Sequence, residues 1–174
     1  PNVSILMGSR SDLPIVQRAA DVLGELGVAS ELRVLSAHRT PRELLDYLAD
    51  AEGRGVEVFI AAAGGAAHLG GVVAANVAAP VIGLPIPSAN LQGLDSLLSI
   101  VQMPKGVPVA TVAIGGAENA GILAAQMLSL KYPALKERLI EYRAQQAQAV
   151  LQASSDLLSA TGANGHAEHA ATAQ

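Results

Sequence analysis

Val56-Glu57-Val58-Phe59-Ile60-Ala61-Ala62 leads directly into Ala63-Gly64-Gly65, and this segment decides the fold class. The run is almost continuously apolar, and Glu57 is its only charged residue. Such a pattern is typical of a strand with both faces buried, whereas a strand with one wet face alternates apolar and polar residues. The glycine pair then marks the turn out of the strand. The segment therefore predicts an interior strand of a parallel sheet with helices on both faces.

The same order of strand, turn and helix recurs along the chain. Other strand-like runs cover residues 3–7, 29–35, 80–84 and 109–114. Helical spacing of apolar residues follows at 13–26, 41–53, 94–102 and 119–130, with an Ala-rich helix ending near residue 77. We expect an α/β fold, a three-layer doubly wound parallel sheet of about five strands in flavodoxin-like or Rossmann-like order. Pro133 is expected to begin a long C-terminal helix.

Length and composition favour one catalytic domain over residues 1–153, which includes the C-terminal helix, and a flexible tail over 154–174. Of the 174 residues 51% are hydrophobic but only 2% are aromatic, so each buried side chain is small. Such a core favours further burial by oligomerisation. The tail contains His166 and His169, but no Cys or carboxylate framework accompanies them, so we expect no metal site.

Charge and composition exclude several function classes. The net charge of −4 and the few aromatic residues do not fit a nucleic-acid binder. The absence of cysteine excludes a disulfide framework and a thiolate nucleophile. No apolar run reaches the roughly 18 residues of a membrane span, and no basic segment typical of a signal peptide precedes the first strand. We therefore expect a cytoplasmic protein whose ligand is a small molecule.

Gly8-Ser9-Arg10-Ser11-Asp12 follows the first strand, and ligands of open α/β sheets bind beyond the carboxyl ends of strands. The glycine, two hydroxyls and the N–H groups of the next helix favour an anion site, and Asp12 suits sugar hydroxyls. As the alternative, Ser11 or Asp12 only caps the helix. Because both G-x-G-x-x-G and the P-loop lysine are missing, a dinucleotide or triphosphate is not expected.

Ser36-Ala37-His38-Arg39-Thr40-Pro41 follows the second strand. Histidine suits proton transfer near neutrality, so His38 is the candidate acid or base. Arg39 offers a planar fork for a phosphate, or else is a solvated surface charge. Ser36 has no nucleophile elbow around it and is interpreted as an orienting group beside His38. Thr40 is a candidate cap for the following helix.

Ala63-Gly64-Gly65-Ala66-Ala67-His68-Leu69 follows the third strand. A Gly-Gly turn lined by methyl groups presents backbone N–H groups to something small, such as a carboxylate or carbon dioxide. The candidate binding residues here are Gly64, Gly65, Ala66, His68 and Leu69. His68 either contacts the ligand or hydrogen-bonds a neighbouring loop.

Together these loops resemble the 5-(carboxyamino)imidazole ribonucleotide mutase family of de novo purine synthesis. The matching motifs are Met7-Gly8-Ser9-x-Ser11-Asp12, the segments 36–41 and 63–69, and the run from Gly93-Leu94-Asp95-Ser96 to Pro104. The resemblance extends from about Ile5 to Leu130. Gly70 stands where the family often has proline, the turn at 115–119 is shorter than in many relatives, and no role is assigned to 87–90.

The resemblance implies a doubly wound subunit of a homo-octamer that needs no metal, nucleotide or organic cofactor. It implies that the carboxyl group of the substrate moves from the exocyclic nitrogen to a ring carbon. His38 then resembles the catalytic proton carrier, with Ser36 beside it. Ser9 and Asp12 resemble the ribose phosphate contacts, with Gly8 and Ser11 around them, and Arg39 resembles the phosphate contact.

Other functions remain as alternatives. The nearest is direct carboxylation of aminoimidazole ribonucleotide by free carbon dioxide, against which the form of the third loop argues. A non-enzymatic flavodoxin-like or receiver domain is the second. A receiver needs an aspartate ending strand three, and a flavodoxin usually stacks aromatics on its flavin, whereas this chain has one Phe, three Tyr and no Trp. The third is a structural oligomer with an inactive site.

Overall fold

The computed structural model describes residues 2–165, so His166 and His169 lie outside the described residues. The strands are β1 (Val3–Met7), β2 (Ser30–Val34), β3 (Val58–Ala63), β4 (Val81–Pro85) and β5 (Ala110–Thr111). The helices are α1 (Leu13–Glu25), α2 (Pro41–Gly53), α3 (His68–Ala74), α4 (Leu94–Val101), α5 (Ala117–Ser129) and α6 (Pro133–Gly165).

The five strands form one sheet in the order β2-β1-β3-β4-β5, and every neighbouring pair is parallel. This confirms the predicted doubly wound α/β fold and selects the flavodoxin-like order. Strand order reverses between β1 and β3, because the chain moves outward to β2 before it returns to the other side of β1. Ligands of such sheets bind at this reversal, beyond the carboxyl ends of the strands.

Burial follows the pattern that the sequence predicts for the central strands. Every residue of β1 and β3 is buried. On one face, α2, α3 and α4 pack around Phe59 through Leu48, Val73 and Ile100. On the other, α1 packs closely against α5, where Gly121 leaves room for the backbone of Ala19. The two helical layers bury the sheet between them, and because all five strands are parallel, their carboxyl ends meet at one edge.

β5 is shorter than predicted. We expected a strand over 109–114, whereas regular pairing covers only Ala110–Thr111. Val112 still donates its N–H to Gly83 O at 3.1 Å. The next bond of a parallel ladder would come from the N–H of Pro85, and proline has none. Regular pairing therefore ends at this point, and the next bond to β4 comes only from the N–H of Gly115, which donates to Pro85 O at 2.9 Å.

The C-terminal helix extends further than its sequence suggests. The chain divides into two units, the first ending at Lys136 and the second beginning at Glu137. α6 contains 33 residues and continues past residue 154, where we placed the start of a flexible tail, so residues 154–165 are helical here. The domain boundary at 153 and the flexibility of the tail stay predictions. None of the described helices is both long and apolar enough to cross a membrane.

Candidate active site

A cavity of about 510 Å³ opens at the carboxyl edge of the sheet, at the reversal between β1 and β3. Loops after β1, β2, β3 and β4 line it. The sequence-predicted residues on its wall are Gly8, Ser9, Asp12, Ser36, His38, Arg39, Gly64, Gly65, Ala66, His68 and Leu69. Ser11 does not line the cavity. The fold thus brings three separated motifs to one place.

Ser11 instead supports its neighbours in the loop after β1. A single 3-10 turn, Arg10–Asp12, begins after Ser9, whose Oγ accepts the N–H of Ser11 at 3.3 Å. The Ser11 hydroxyl lies 2.8 Å from Ser9 Oγ and 3.1 Å from Asp12 Oδ1. These contacts orient the two side chains that do reach the cavity.

Asp12 occupies the N-cap position of α1, but its side chain makes no capping hydrogen bond. The capping alternative is therefore wrong for this residue. Burial raises the pKa of the Asp12 carboxyl, and the hydrogen bond from Ser11 acts in the opposite direction. A carboxylate that is partly withdrawn from water is stabilised when hydroxyl groups of a ligand donate hydrogen bonds to it.

Ser36 organises the loop after β2. Its Oγ accepts the backbone N–H of His38 at 3.3 Å and of Arg39 at 3.2 Å, and lies 3.4 Å from Arg39 Nε. Ser36 thus fixes the backbone that carries His38, and its orienting role in the reaction stays a prediction. Thr40 does not cap α2 as expected, because its Oγ1 accepts the Ser36 N–H at 2.9 Å and donates to Ser36 O at 3.2 Å.

Arg39 connects the first and second loops. One terminal nitrogen of its guanidinium donates to Gly8 O at 2.6 Å, and its Nε faces Ser36. Arg39 is exposed, but these bonds hold its side chain at the cavity lining. Its contact with a phosphate stays a prediction. Arg39 lines the same cavity as Ser9 and Asp12.

His38 and His68 meet inside the cavity. Nε2 of His38 lies 2.6 Å from Nδ1 of His68, and the two rings are edge to face with centroids 4.8 Å apart. His68 therefore hydrogen-bonds the candidate catalytic residue rather than a loop. One proton is shared between the two nitrogens, because a hydrogen bond needs one donor and one acceptor.

The backbone before His68 is unusual. Gly65 and Ala67 both have positive φ, 63° and 47°. Glycine adopts this region freely, but alanine there is strained by its Cβ. Ala67 is buried and immediately precedes the first residue of α3, so the strained turn sets the direction in which His68 leaves the loop.

One expectation about the third loop is wrong in detail. Gly65 does not present its N–H to the cavity, because that group donates to Ser96 Oγ at 2.9 Å. Gly65 still lines the wall. Gly64 lies beside it against Ile86, whose carbonyl oxygen would be 3.7 Å from an added Cβ.

Sequence reasoning missed the part of the wall that follows β4. Ile86, Pro87 and Ser88 line the cavity, although no role was assigned to the loop at 87–90. Their position after a buried strand was the available signal. Ser88 donates to Asp95 Oδ1 at 2.6 Å and accepts the N–H of Gly93 at 3.2 Å. The bond from Ser88 lowers the pKa of the Asp95 carboxyl.

The cavity therefore has three chemically distinct parts. Arg39, Ser9 and Asp12 suit an anionic, hydroxylated group, while the histidine pair suits proton transfer. Glycine and alanine residues of the loop after β3 form a third, small-residue part of the wall. Within residues 2–165, no three His, Cys, Asp or Glu side chains lie together as metal ligands would. The arrangement suits acid–base chemistry on a small phosphorylated substrate.

Comparison with known proteins agrees with this geometry. The family model described as AIR carboxylase matches residues 2–149. The N5-carboxyaminoimidazole ribonucleotide mutase of Pyrococcus abyssi is 61% identical over 143 residues, which cover 82% of each chain. The mutase of Thermotoga maritima is 54% identical over 157 residues, covering 90% of this chain and 92% of the relative.

A solved structure shows the same fold. The crystal structure of Treponema denticola PurE superposes with a TM-score of 0.82 at 31% sequence identity, covering 89% of this chain and 97% of that one. The order of the motifs, the cavity that they form and the match over most of the chain lead to one conclusion. This chain belongs to the AIR carboxylase family.

Proposed function

We propose that this protein is an N5-carboxyaminoimidazole ribonucleotide mutase of purine biosynthesis. It converts 5-(carboxyamino)imidazole ribonucleotide to 5-amino-4-carboxyimidazole ribonucleotide. The observation that carries the proposal is the His38–His68 pair, 2.6 Å apart, in a cavity that Arg39 and the glycine–alanine loop also line. Mutase relatives at 54% and 61% identity support the same activity.

The residues that line the cavity set the proposed orientation of the substrate. Arg39 binds the phosphate by donating hydrogen bonds to its charged oxygens in place of the neutral Gly8 O, because charge-assisted hydrogen bonds are the stronger ones. Asp12 accepts hydrogen bonds from ribose hydroxyls, and Ser9 lies beside it. The imidazole ring then lies at His38, and its carboxyl group faces Gly64 and Ala66.

The reaction takes up one proton at the exocyclic nitrogen and releases one proton from ring carbon C4. The bond between the exocyclic nitrogen and the carboxyl carbon breaks, and its electron pair stays on nitrogen. His38 protonates that nitrogen, which leaves aminoimidazole ribonucleotide and carbon dioxide. Ring carbon C4 then attacks the carbon of carbon dioxide to form the new bond. Loss of the C4 proton to His38 restores the aromatic ring, so atoms and charge balance.

His68 supports both proton transfers. Its ring nitrogen faces Nε2 of His38 and can give or take the shared proton as the charge on His38 changes. Carbon dioxide must stay beside C4 between the two steps. The small wall of Gly64, Gly65 and Ala66 fits that molecule, and holding it there removes the entropy cost of recapture. No cofactor takes part in these steps.

We further propose a cytoplasmic homo-octamer. α4 carries an apolar stripe that remains exposed in the single chain. Leu94, Leu98 and Val101 are 50%, 50% and 48% exposed and share one helix face, with Leu91 at 57% nearby. A second copy covering this stripe is consistent with the small-residue core, and light scattering of the purified protein measures the number of chains.

The alternative is direct carboxylation of aminoimidazole ribonucleotide. An isotope experiment separates the two. Substrate labelled with carbon-13 in the carboxyl group is turned over in excess unlabelled bicarbonate. The mutase mechanism predicts that the product retains the label, since carbon dioxide never leaves the cavity. A product with the isotope ratio of the bicarbonate pool contradicts it, and turnover of aminoimidazole ribonucleotide at low bicarbonate favours the carboxylase.

A further inference from the structure

Ser96 is a buried polar residue next to the active site but outside its lining. Its side chain is 0% exposed, and it belongs to the first turn of α4. The residue falls within the run from Gly93 to Pro104, to which the mechanism above gives no role. Ser4 is equally buried, at 0%, near the opposite end of β1.

The hydroxyl of Ser96 occupies a particular place in the sheet. Regular pairing between β3 and β4 continues until the N–H of Ile86 donates to Ala63 O at 2.9 Å. In a regular parallel ladder, the carbonyl oxygen of Ile86 would next accept the N–H of Gly65, the residue two positions after Ala63. Ser96 Oγ stands between them instead. It accepts the Gly65 N–H at 2.9 Å and donates to Ile86 O at 2.8 Å.

The inserted hydroxyl therefore separates the two strands where both enter the cavity wall. Gly64 and Gly65 on one side and Ile86 on the other all line the cavity. Without the hydroxyl, the Gly65 N–H and the Ile86 carbonyl either bond directly, which brings the loops together, or lose their partner. Both outcomes change the width of the glycine wall.

The first turn of α4 is itself tied to that wall. Oδ1 of Asp95 accepts the N–H of Ser96 at 2.9 Å and the hydroxyl of the cavity residue Ser88 at 2.6 Å. Gly93 has φ 96°, and a Cβ there would lie 2.5 Å from Ile114 and 3.2 Å from the backbone of Pro87. The turn that presents Ser96 is thus constrained on each side.

We propose that Ser96 is a positioning residue for the carboxyl shift. Its hydroxyl, inserted between β3 and β4, sets the width of the wall that retains carbon dioxide beside the ring. The inference rests on the proposed function, because only a mechanism with a transient small molecule makes that width matter.

The test compares Ser96→Ala with Ser4→Ala. Each removes one hydroxyl from a fully buried site, and Ser4 bonds Tyr47 at 2.6 Å, away from the cavity lining. For Ser96→Ala we expect kcat to fall at least about tenfold, with KM within about threefold, since Arg39 and Asp12 remain. Released aminoimidazole ribonucleotide should rise relative to the carboxylated product. For Ser4→Ala we expect lower thermal stability with kcat within about threefold.

Three results overturn the proposal: kcat of Ser96→Ala within about threefold of the wild type, unchanged partition between the two products, or equal kinetic loss in Ser4→Ala. If Ser96→Ala does not fold, Ser96→Cys replaces it, because a thiol is a weaker donor and acceptor of similar shape. An intermediate kcat for that variant supports the proposal, and a wild-type kcat contradicts it.

A second measurement does not depend on turnover. Absence of carboxyl shift in the wild type would reject the proposed function, and hydrogen exchange would still test the position of Ser96. In Ser96→Ala, the peptide spanning residues 63–69 should exchange faster because the Gly65 amide loses its acceptor. Slower exchange means that Gly65 has bonded Ile86 directly, which also supports the inserted hydroxyl. An unchanged rate rejects it.

Discussion

Nε2 of His38 lies 2.6 Å from Nδ1 of His68, and the two rings meet at an interplanar angle of 86° inside the cavity. The residues are 30 positions apart and follow different strands, β2 and β3. Parallel strands bring their carboxyl ends to one edge, so the loops that carry the two rings converge. The pair gives the site two nitrogens that share a proton, which suits a reaction that takes up one proton and releases one.

Replacing His38 by asparagine should abolish most of the carboxyl shift while leaving the fold intact. General acid–base catalysis typically contributes at least about a hundredfold, and asparagine cannot carry the proton. Steady-state kinetics measures kcat, and circular dichroism and light scattering check folding and assembly. Retention of more than about a tenth of the wild-type kcat, a barrier change under about 1.4 kcal/mol, rejects the assigned role.

Replacing His68 by phenylalanine should lower kcat about tenfold, less than the loss in His38→Asn, because the ring remains but its nitrogens are lost. If His68 acts through His38, the double variant His38→Asn/His68→Phe should have the kcat of His38→Asn alone. Full kinetic analysis of the four proteins in this cycle measures the coupling. Losses that multiply in the double variant contradict the assigned link.

Arg39→Lys should raise KM about tenfold with little change in kcat. Lysine keeps the charge but loses the planar fork that bonds Gly8 O and, in the proposed complex, the phosphate. A charged hydrogen bond is worth about 1.5–3 kcal/mol. Arg33→Lys is the matched control, because the side chain of Arg33 is 52% exposed on β2. Equal KM values for the two variants would contradict a contact between Arg39 and the phosphate.

Glu57→Gln should lower the free energy of unfolding at neutral pH but not at acidic pH. The Glu57 carboxylate accepts hydrogen bonds from Lys131 Nζ and the Tyr132 hydroxyl, each at 2.6 Å, and these bonds lower the pKa of Glu57 below its usual range. A carboxyl group whose pKa is lower in the folded than in the unfolded protein stabilises the fold at pH values above its unfolded-state pKa. That contribution is lost as the pH falls through the folded-state pKa. Urea midpoints from about pH 6 to about pH 3 should therefore converge for the two proteins. A constant gap contradicts this prediction.

Gly121→Ala should destabilise the fold by about 1–3 kcal/mol. An added Cβ in α5 would lie 2.5 Å from Val22 Cγ1 and 2.8 Å from the carbonyl oxygen of Ala19, and that oxygen is backbone that cannot move aside. Gly24→Ala in α1 is the matched control, since nothing lies within 4 Å of its added Cβ. It should stabilise the helix by roughly 0.5 kcal/mol. Denaturant unfolding of both variants checks the pair, and equal effects would contradict close approach of α1 and α5.

The fold could be predicted almost completely from local patterns. Continuous apolar runs identified the buried strands, and helical spacing identified the helices between them. β5 was overestimated because its length depends on Pro85, a residue of the neighbouring strand whose missing N–H ends the ladder. The tail boundary at residue 154 was set by composition, which does not show where helical hydrogen bonding stops.

The sequence by itself determined which residues could do chemistry. His38, Arg39, Asp12 and the Gly64-Gly65 turn each stand where a strand ends, and side-chain chemistry limits what each can bind or transfer. Only the tertiary structure decided how these groups are partnered. His68 faces His38, and Ser96 takes the Gly65 N–H and opens the β3–β4 ladder. The physical reason is that such hydrogen bonds join residues about 30 positions apart. Their geometry depends on how neighbouring strands diverge at the sheet edge, which no local pattern of residues encodes.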